Sequence, residues 1–128
     1  MGDRDVKKIL LSGVLCLAFI ASLPAQAEGR SLTKTEKNKV ISLVKAGLKD
    51  PDSARFQLGA FIPNKDNAYC GLVNAKNSLG GYAGSTPFLV TIVKPIGGYD
   101  VSSLIAIGGD DSSNYAVTTQ CSSYGYSL

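Results

Sequence analysis

The sequence predicts an α+β domain: an N-terminal amphipathic helix packed on an antiparallel sheet of about four to five strands, behind a cleaved signal peptide. Three observations carry this. An apolar run near the start ends in Pro24 and a small-x-small site. A stretch of helical periodicity then follows Thr33, and everything after Phe56 alternates β-rich runs with Gly, Asn and Ser clusters. Helix first and strands afterwards places the helix on one face of an antiparallel sheet.

Arg4, Lys7 and Lys8, set against Asp3 and Asp5, give a weakly positive start. From Ile9 to Leu23 the only polar residues are Ser12 and Ser22, fifteen positions in all, short of the roughly 20 that a spanning helix needs. Pro24 ends that run, and Ala25-Gln26-Ala27 presents small residues where a signal peptidase reads them. The expected division is a signal peptide over 1–27 and a single α+β domain over 28–128, located in the periplasm or secreted, with no stable membrane span after cleavage. An uncleaved anchoring helix is the alternative. Cys16 lies mid-run behind bulky Leu15, which fits an apolar signal residue and not a lipidated one.

Without residues 1–27 the chain holds ten basic and eight acidic side chains, a net charge of +2. That is too mild for a nucleic-acid surface, so no nucleic-acid partner is expected. Two cysteines remain, Cys70 and Cys121. In an oxidising compartment an even pair reads as a disulfide, the alternative being two separately buried thiols. With no histidine in the chain, two cysteines cannot supply the usual zinc ligands, so no metal and no cofactor are expected.

Thr33 followed by Glu36 has the form of a capping box, which starts the helix. Val40, Ile41, Val44, Gly47 and Leu48 fall on one side at helical spacing, and Lys34, Asn38, Lys45 and Lys49 on the other, an ordinary solvated face. Asp50-Pro51 ends it, because proline restricts the residue before it and lacks a donor. Asp50 is placed to cap a short turn through Pro51, Ser53, Ala54 and Arg55 that delivers Phe56 to the core.

Expected strands run Phe56 to Ile62, Tyr69 to Lys76, Thr86 to Lys94, Asp100 to Ile107, and Asn114 to Cys121. Pro95-Ile96-Gly97-Gly98 and Gly108-Gly109-Asp110-Asp111 occupy hairpin-turn positions between the last three. In the fifth strand Tyr115, Val117, Thr119 and Cys121 share one parity and hence one face. The closing Ser122 to Leu128 segment is expected to fray.

The most unusual stretch runs from Tyr69-Cys70-Gly71 through Asn74-Ala75-Lys76-Asn77 and Gly80-Gly81-Tyr82 to Pro87-Phe88. Together with Asp50-Pro51-Asp52-Ser53-Ala54-Arg55-Phe56 it resembles a family of small exported bacterial proteins of unknown function. These pair a DPDSA-x-F turn with a CG-x-VNAKN-x-x-GGY-x-G-x-x-PF segment. The resemblance covers the middle third of the chain and the helix before it, and implies a fold and a compartment but no reaction.

The Gly and Asn content suits left-handed and turn geometry, so a shaped, rigid loop is expected over 74–88. Two readings stand. In one, Asn74, Lys76, Asn77 and Tyr82 form a ligand-binding surface. In the other, the asparagines stitch the loop to itself and Tyr82 caps the core. Gly80 to Thr86 lacks the lysine and spacing of a phosphate loop, and the acidic tip at Asp110, Asp111, Ser112 and Asn114 lacks calcium-loop spacing.

No histidine, no nucleophile-elbow serine and no expected free thiol make catalytic residues hard to assign. The expected function is a non-enzymatic binding or accessory protein of the bacterial envelope, meeting an unknown protein or envelope component through the Asn/Gly-rich loop. The alternatives are a small cell-wall-acting hydrolase, which needs two carboxylates facing one cleft, and a purely structural envelope protein.

Overall fold

The computed structural model describes residues 29–128, so the expected signal peptide and its cleavage site lie outside the described residues. Within them the chain forms helix α1 (Lys34–Lys45), a single 3-10 turn (Pro51–Ser53), strands β1 (Arg55–Gln57), β2 (Ala68–Asn74), β3 (Thr86–Thr91) and β4 (Ser103–Ile107), and helix α2 (Asp111–Ser123). The four strands pair in sequence order, all antiparallel. No helix among them is long and apolar enough to cross a membrane.

Helix α1 begins where the capping box places it. The Thr33 hydroxyl accepts from the Glu36 amide at 3.1 Å, and the Glu36 carboxylate accepts from the Thr33 amide at 2.9 Å. Val40 and Val44, four residues apart, are fully buried, each contributing roughly 1.5–3 kcal/mol of apolar burial. The turn after Pro51 also forms, but Asp50 does not cap it with its side chain. Instead Ser53 closes it, its hydroxyl donating to the Asp50 carbonyl at 2.8 Å.

Cross-strand partners share a face of the sheet. Phe56 with Val73, Gly71 with Phe88 and Ile107, and Tyr69 with Val90 and Leu104 line one face. Cys70, Leu89 and Ala106 line the other. Helix α1 covers the first: an added Cβ at Gly47, just past its end, would lie 2.7 Å from Leu104 Cδ2. The second face receives α2, because the Cys121 sulfur sits at bonding distance from that of Cys70, as expected for a disulfide. The sheet is therefore sandwiched between the two helices.

Three sequence expectations are corrected. The fifth strand does not exist. Asn114 to Cys121 belongs to α2, opened by Asp110, whose carboxylate accepts from the Ser113 amide at 2.8 Å while the Ser113 hydroxyl accepts from the Asp110 amide at 3.1 Å. Asp110 and Asp111 are thus a cap and a first helical turn, not a hairpin tip, and Gly108-Gly109 joins strand to helix. The shared strand face of Tyr115, Val117, Thr119 and Cys121 dissolves with it: Val117 and Cys121 are buried, and Tyr115 is exposed.

The closing segment is anchored, not frayed. Tyr124 donates to Asp66 at 2.9 Å, and the buried Tyr126 hydroxyl donates to the Ala68 carbonyl at 2.9 Å while accepting from the Ile62 amide at 3.0 Å. Finally, the expected first strand is cut to three residues. Beyond Gln57 the chain leaves β2, and Phe61 instead pairs with Arg30. The Gly97-Gly98 turn does form: both glycines have positive φ, 57° and 83°, and Ile96 and Tyr99 exchange two backbone hydrogen bonds of 3.0 Å.

Gly71 is where the sheet tolerates no side chain. A Cβ there would meet Phe88 Cζ at 2.7 Å and the Gln57 carbonyl oxygen at 3.1 Å. Phe88 is fully buried and the carbonyl is backbone, so neither neighbour has room to yield. Gly71→Ala is expected to destabilise the domain by about 1–3 kcal/mol, read as a lowered urea midpoint with unchanged m-value.

Candidate functional site

The β2–β3 connection is a folded structure in its own right. The Asn77 side-chain oxygen accepts from the amides of Leu79 at 3.0 Å and Gly81 at 3.3 Å, and its own amide donates to the Gly81 carbonyl at 2.8 Å. The Asn74 side-chain oxygen accepts from the Gly84 amide at 3.2 Å, and Ala83 donates to the Ala75 carbonyl at 3.3 Å. Gly80 and Gly84 take φ of 81° and 96°, angles that side chains resist. Asn74 and Asn77 thus spend their carbonyl oxygens on the loop's own amides. Leu79 is left at the tip, 94% exposed and in contact with no core residue.

The Pro51–Ser53 turn holds this loop from below. The Ser53 hydroxyl accepts from the Lys76 amide at 2.9 Å, and the Ser53 carbonyl accepts from the Tyr82 hydroxyl at 3.2 Å. Arg55, two residues on, lies over the Tyr82 ring at 4.1 Å, and the Lys76 ammonium lies 5.8 Å from the same ring. Lys49, beyond the end of α1, reaches the loop and donates to Ser78 at 3.1 Å. The two separated segments of the resemblance are therefore one contact surface, joined at Ser53. Phe56 and Phe88, which close each segment, pack edge to face beneath it at 6.3 Å.

Lys76 and Tyr82 are adjacent here, Asn74 and Asn77 shape the loop around them, and Tyr82, 37% exposed, presents its ring at the surface. Sequence reasoning placed Ser53 and Arg55 in a helical turn and missed their part in this surface. The hint in the sequence was that the resemblance joins the Asp50–Phe56 segment to the Tyr69–Phe88 segment. Leu79 carried no signal, since a lone apolar residue in a loop is ordinary.

A groove of about 820 Å³ opens elsewhere, between the start of α1 and the Pro95–Tyr99 turn, with Phe61, Ile92 and Pro95 among its walls. It holds two carboxylates, Glu36 and Asp100, the minimum for glycosidase-type chemistry. Both are engaged. Arg30 grips Glu36 through two hydrogen bonds of 2.7 and 2.9 Å, and Lys39 pairs with Asp100. The Arg30 guanidinium, helped by Thr33 against a smaller desolvation, holds the Glu36 carboxyl down at about 2. A general acid needs the opposite shift. Among the described residues, no group of three or more His, Cys, Asp or Glu side chains is placed to hold a metal ion.

No protein-family model, curated protein or solved structure matches the chain. The loop's own geometry therefore carries any functional reading.

Proposed function

We propose that this chain is an exported, non-enzymatic binding module of the bacterial envelope that engages a protein or another envelope component through the loop over 74–88. One observation carries the reading: the loop is pre-shaped by its own hydrogen bonds and by Ser53, yet it raises an apolar side chain, Leu79, almost wholly into solvent. A segment already fixed in shape loses little conformational freedom when bound, so its contacts convert efficiently into affinity. In this reading Asn74 and Asn77 hold the shape, while Lys76, Tyr82, Arg55 and Leu79 make the contact. Export rests on the signal-peptide pattern over 1–27 and suits a protein whose cysteines pair.

Affinity capture from envelope extracts under non-reducing conditions tests the proposal. Leu79→Asp and Tyr82→Ala are each expected to reduce the captured partner about tenfold or more. Leu79→Asp should do so with no change in thermal midpoint, because that side chain is almost wholly exposed and lies outside the core. Capture at the wild-type level by both variants would refute the loop as the contact surface.

A further inference from the structure

We propose that Arg55 and Lys76, set around the Tyr82 ring, form a receptor for a phosphate group; the inference rests on the loop surface being the binding face and names what part of it recognises.

The loop surface carries unpaired positive charge. Among the described residues the ion pairs use Arg30 with Glu36 and Lys39 with Asp100. Among these residues neither Arg55 nor Lys76 has an acidic partner, although Asp50 and Asp52 lie only a few residues before Arg55 in the chain. Nor does either side chain donate a hydrogen bond to another described residue; each rests on the face of Tyr82 instead. The two distances to the ring centre cap the separation of the charges at just under 10 Å.

Two cations within that span and without an acidic partner among the described residues offer an anion that reaches both of them two attractions at once. The arrangement is also fixed beforehand. Arg55 is anchored in β1 opposite Asn74, the Lys76 backbone is bound by Ser53, and the Tyr82 hydroxyl is bound to the Ser53 carbonyl. The backbone and the ring that carry the two cations therefore need little ordering when a ligand arrives.

The pair selects phosphate over carboxylate. A guanidinium presents a fork that takes two oxygens at once, and an ammonium acts as a separate point charge. A carboxylate gripped by the fork has both oxygens occupied. A phosphate still offers a further oxygen to Lys76, and its charge of about −1.5 to −2 answers two cations. That further oxygen and charge belong to a phosphomonoester, which can be a lipid headgroup of the phosphatidic acid kind or a free small molecule, the chemistry at the site being the same.

Amide-resolved NMR titration of the disulfide-bonded domain tests this with two probes: inorganic phosphate, and vesicles of phosphatidic acid in phosphatidylcholine compared with phosphatidylcholine alone. Saturable shifts centred on Arg55, Lys76 and Tyr82 are expected. The double variant Arg55→Gln, Lys76→Gln should weaken binding about tenfold or more, and Arg55→Lys should weaken it too by removing the fork. The control Lys34→Gln, Lys37→Gln on α1 should leave it unchanged. Saturation by phosphate alone assigns a free ligand, and saturation only by phosphatidic acid vesicles assigns a headgroup.

The inference is overturned if neither probe binds the wild-type domain, or if the Arg55, Lys76 double variant binds as well as wild type. Its failure is separable from that of the loop reading. Loop-dependent protein capture without phosphate binding would leave the loop reading standing, and phosphate binding with capture indifferent to Leu79→Asp would do the reverse.

Discussion

Replacing Cys70 and Cys121 together by alanine is expected to lower the thermal midpoint of the domain by about 20 °C. The two residues are 51 apart in sequence, and closing a loop of that length in the unfolded chain is worth about 4 kcal/mol in the chain-entropy model. For a domain of this size each kcal/mol moves the midpoint by about 4–8 °C. Alanine is the better test than serine, since both sites are almost fully buried and an unpartnered hydroxyl there would add its own cost. The loss should also be uneven. Helix α2 buries only Val117 and Cys121, so the bridge is a large part of what holds it to the sheet. Hydrogen exchange in the variant should show α2 opening first while β2 and β3 stay protected. A midpoint shift below about 3 °C, or uniform loss of protection, would refute this account.

The bridge was legible in the sequence, and the helix that carries one end of it was not. The reason lies in four residues. Tyr115, Val117, Thr119 and Cys121 alternate with small or polar neighbours and are β-branched or aromatic in three of the four positions, which mimics a strand. The same segment buries Val117 and Cys121, a spacing of four, so both periods pass through the buried pair. A helix that buries so little has little amphipathic pattern to display, and local propensity then misleads. What distinguished the two was the start: Asp110 and Ser113 form a reciprocal cap that an expected hairpin turn concealed. Helix α1 shows the converse, because Thr33 and Glu36 stand before two valines with no competing strand pattern.

At the loop, composition announced rigidity but not which side chains would be spent on it. Asn74 and Asn77 look equally suited to binding and to stitching until their partners, the amides of Leu79, Gly81 and Gly84, are seen. The sequence equally suits Tyr82 to capping the core, but its hydroxyl turns to the Ser53 carbonyl and its ring to Arg55 and Lys76. Contacts between Ser53 and residues more than twenty positions later depend on how β1 lies along β2. That register follows from Phe56 meeting Val73 over Phe88, a packing fact with no local sequence signature.

Tyr69→Ala is expected to cost about 3–5 kcal/mol, the range for removing a large aromatic from a closed core. Tyr69 is fully buried at the meeting point of Phe61, Phe88 and Tyr126, with ring separations of 6.5, 6.3 and 5.8 Å. Its hydroxyl donates to the Gly59 carbonyl at 2.9 Å, tying the irregular segment after β1 to the sheet. Tyr69→Phe isolates that bond and should cost only about 0.5–1.5 kcal/mol. The hydroxyl also sets an alkaline limit. Burial, aided by the neighbouring Tyr126, pushes the Tyr69 phenol up from 10.0 to about 12. A group whose proton is held more tightly in the folded state contributes its full stabilisation below the unfolded value. Stability should therefore fall as pH rises from about 10 towards about 12, as the unfolded chain ionises first. Tyr126, raised by burial as well, adds to the same slope. Urea unfolding across this range should show a shallower decline in Tyr69→Phe than in wild type; equal declines would place the alkaline sensitivity elsewhere, and a loss under about 1 kcal/mol in Tyr69→Ala would mean that the aromatic cluster is not the centre of the core.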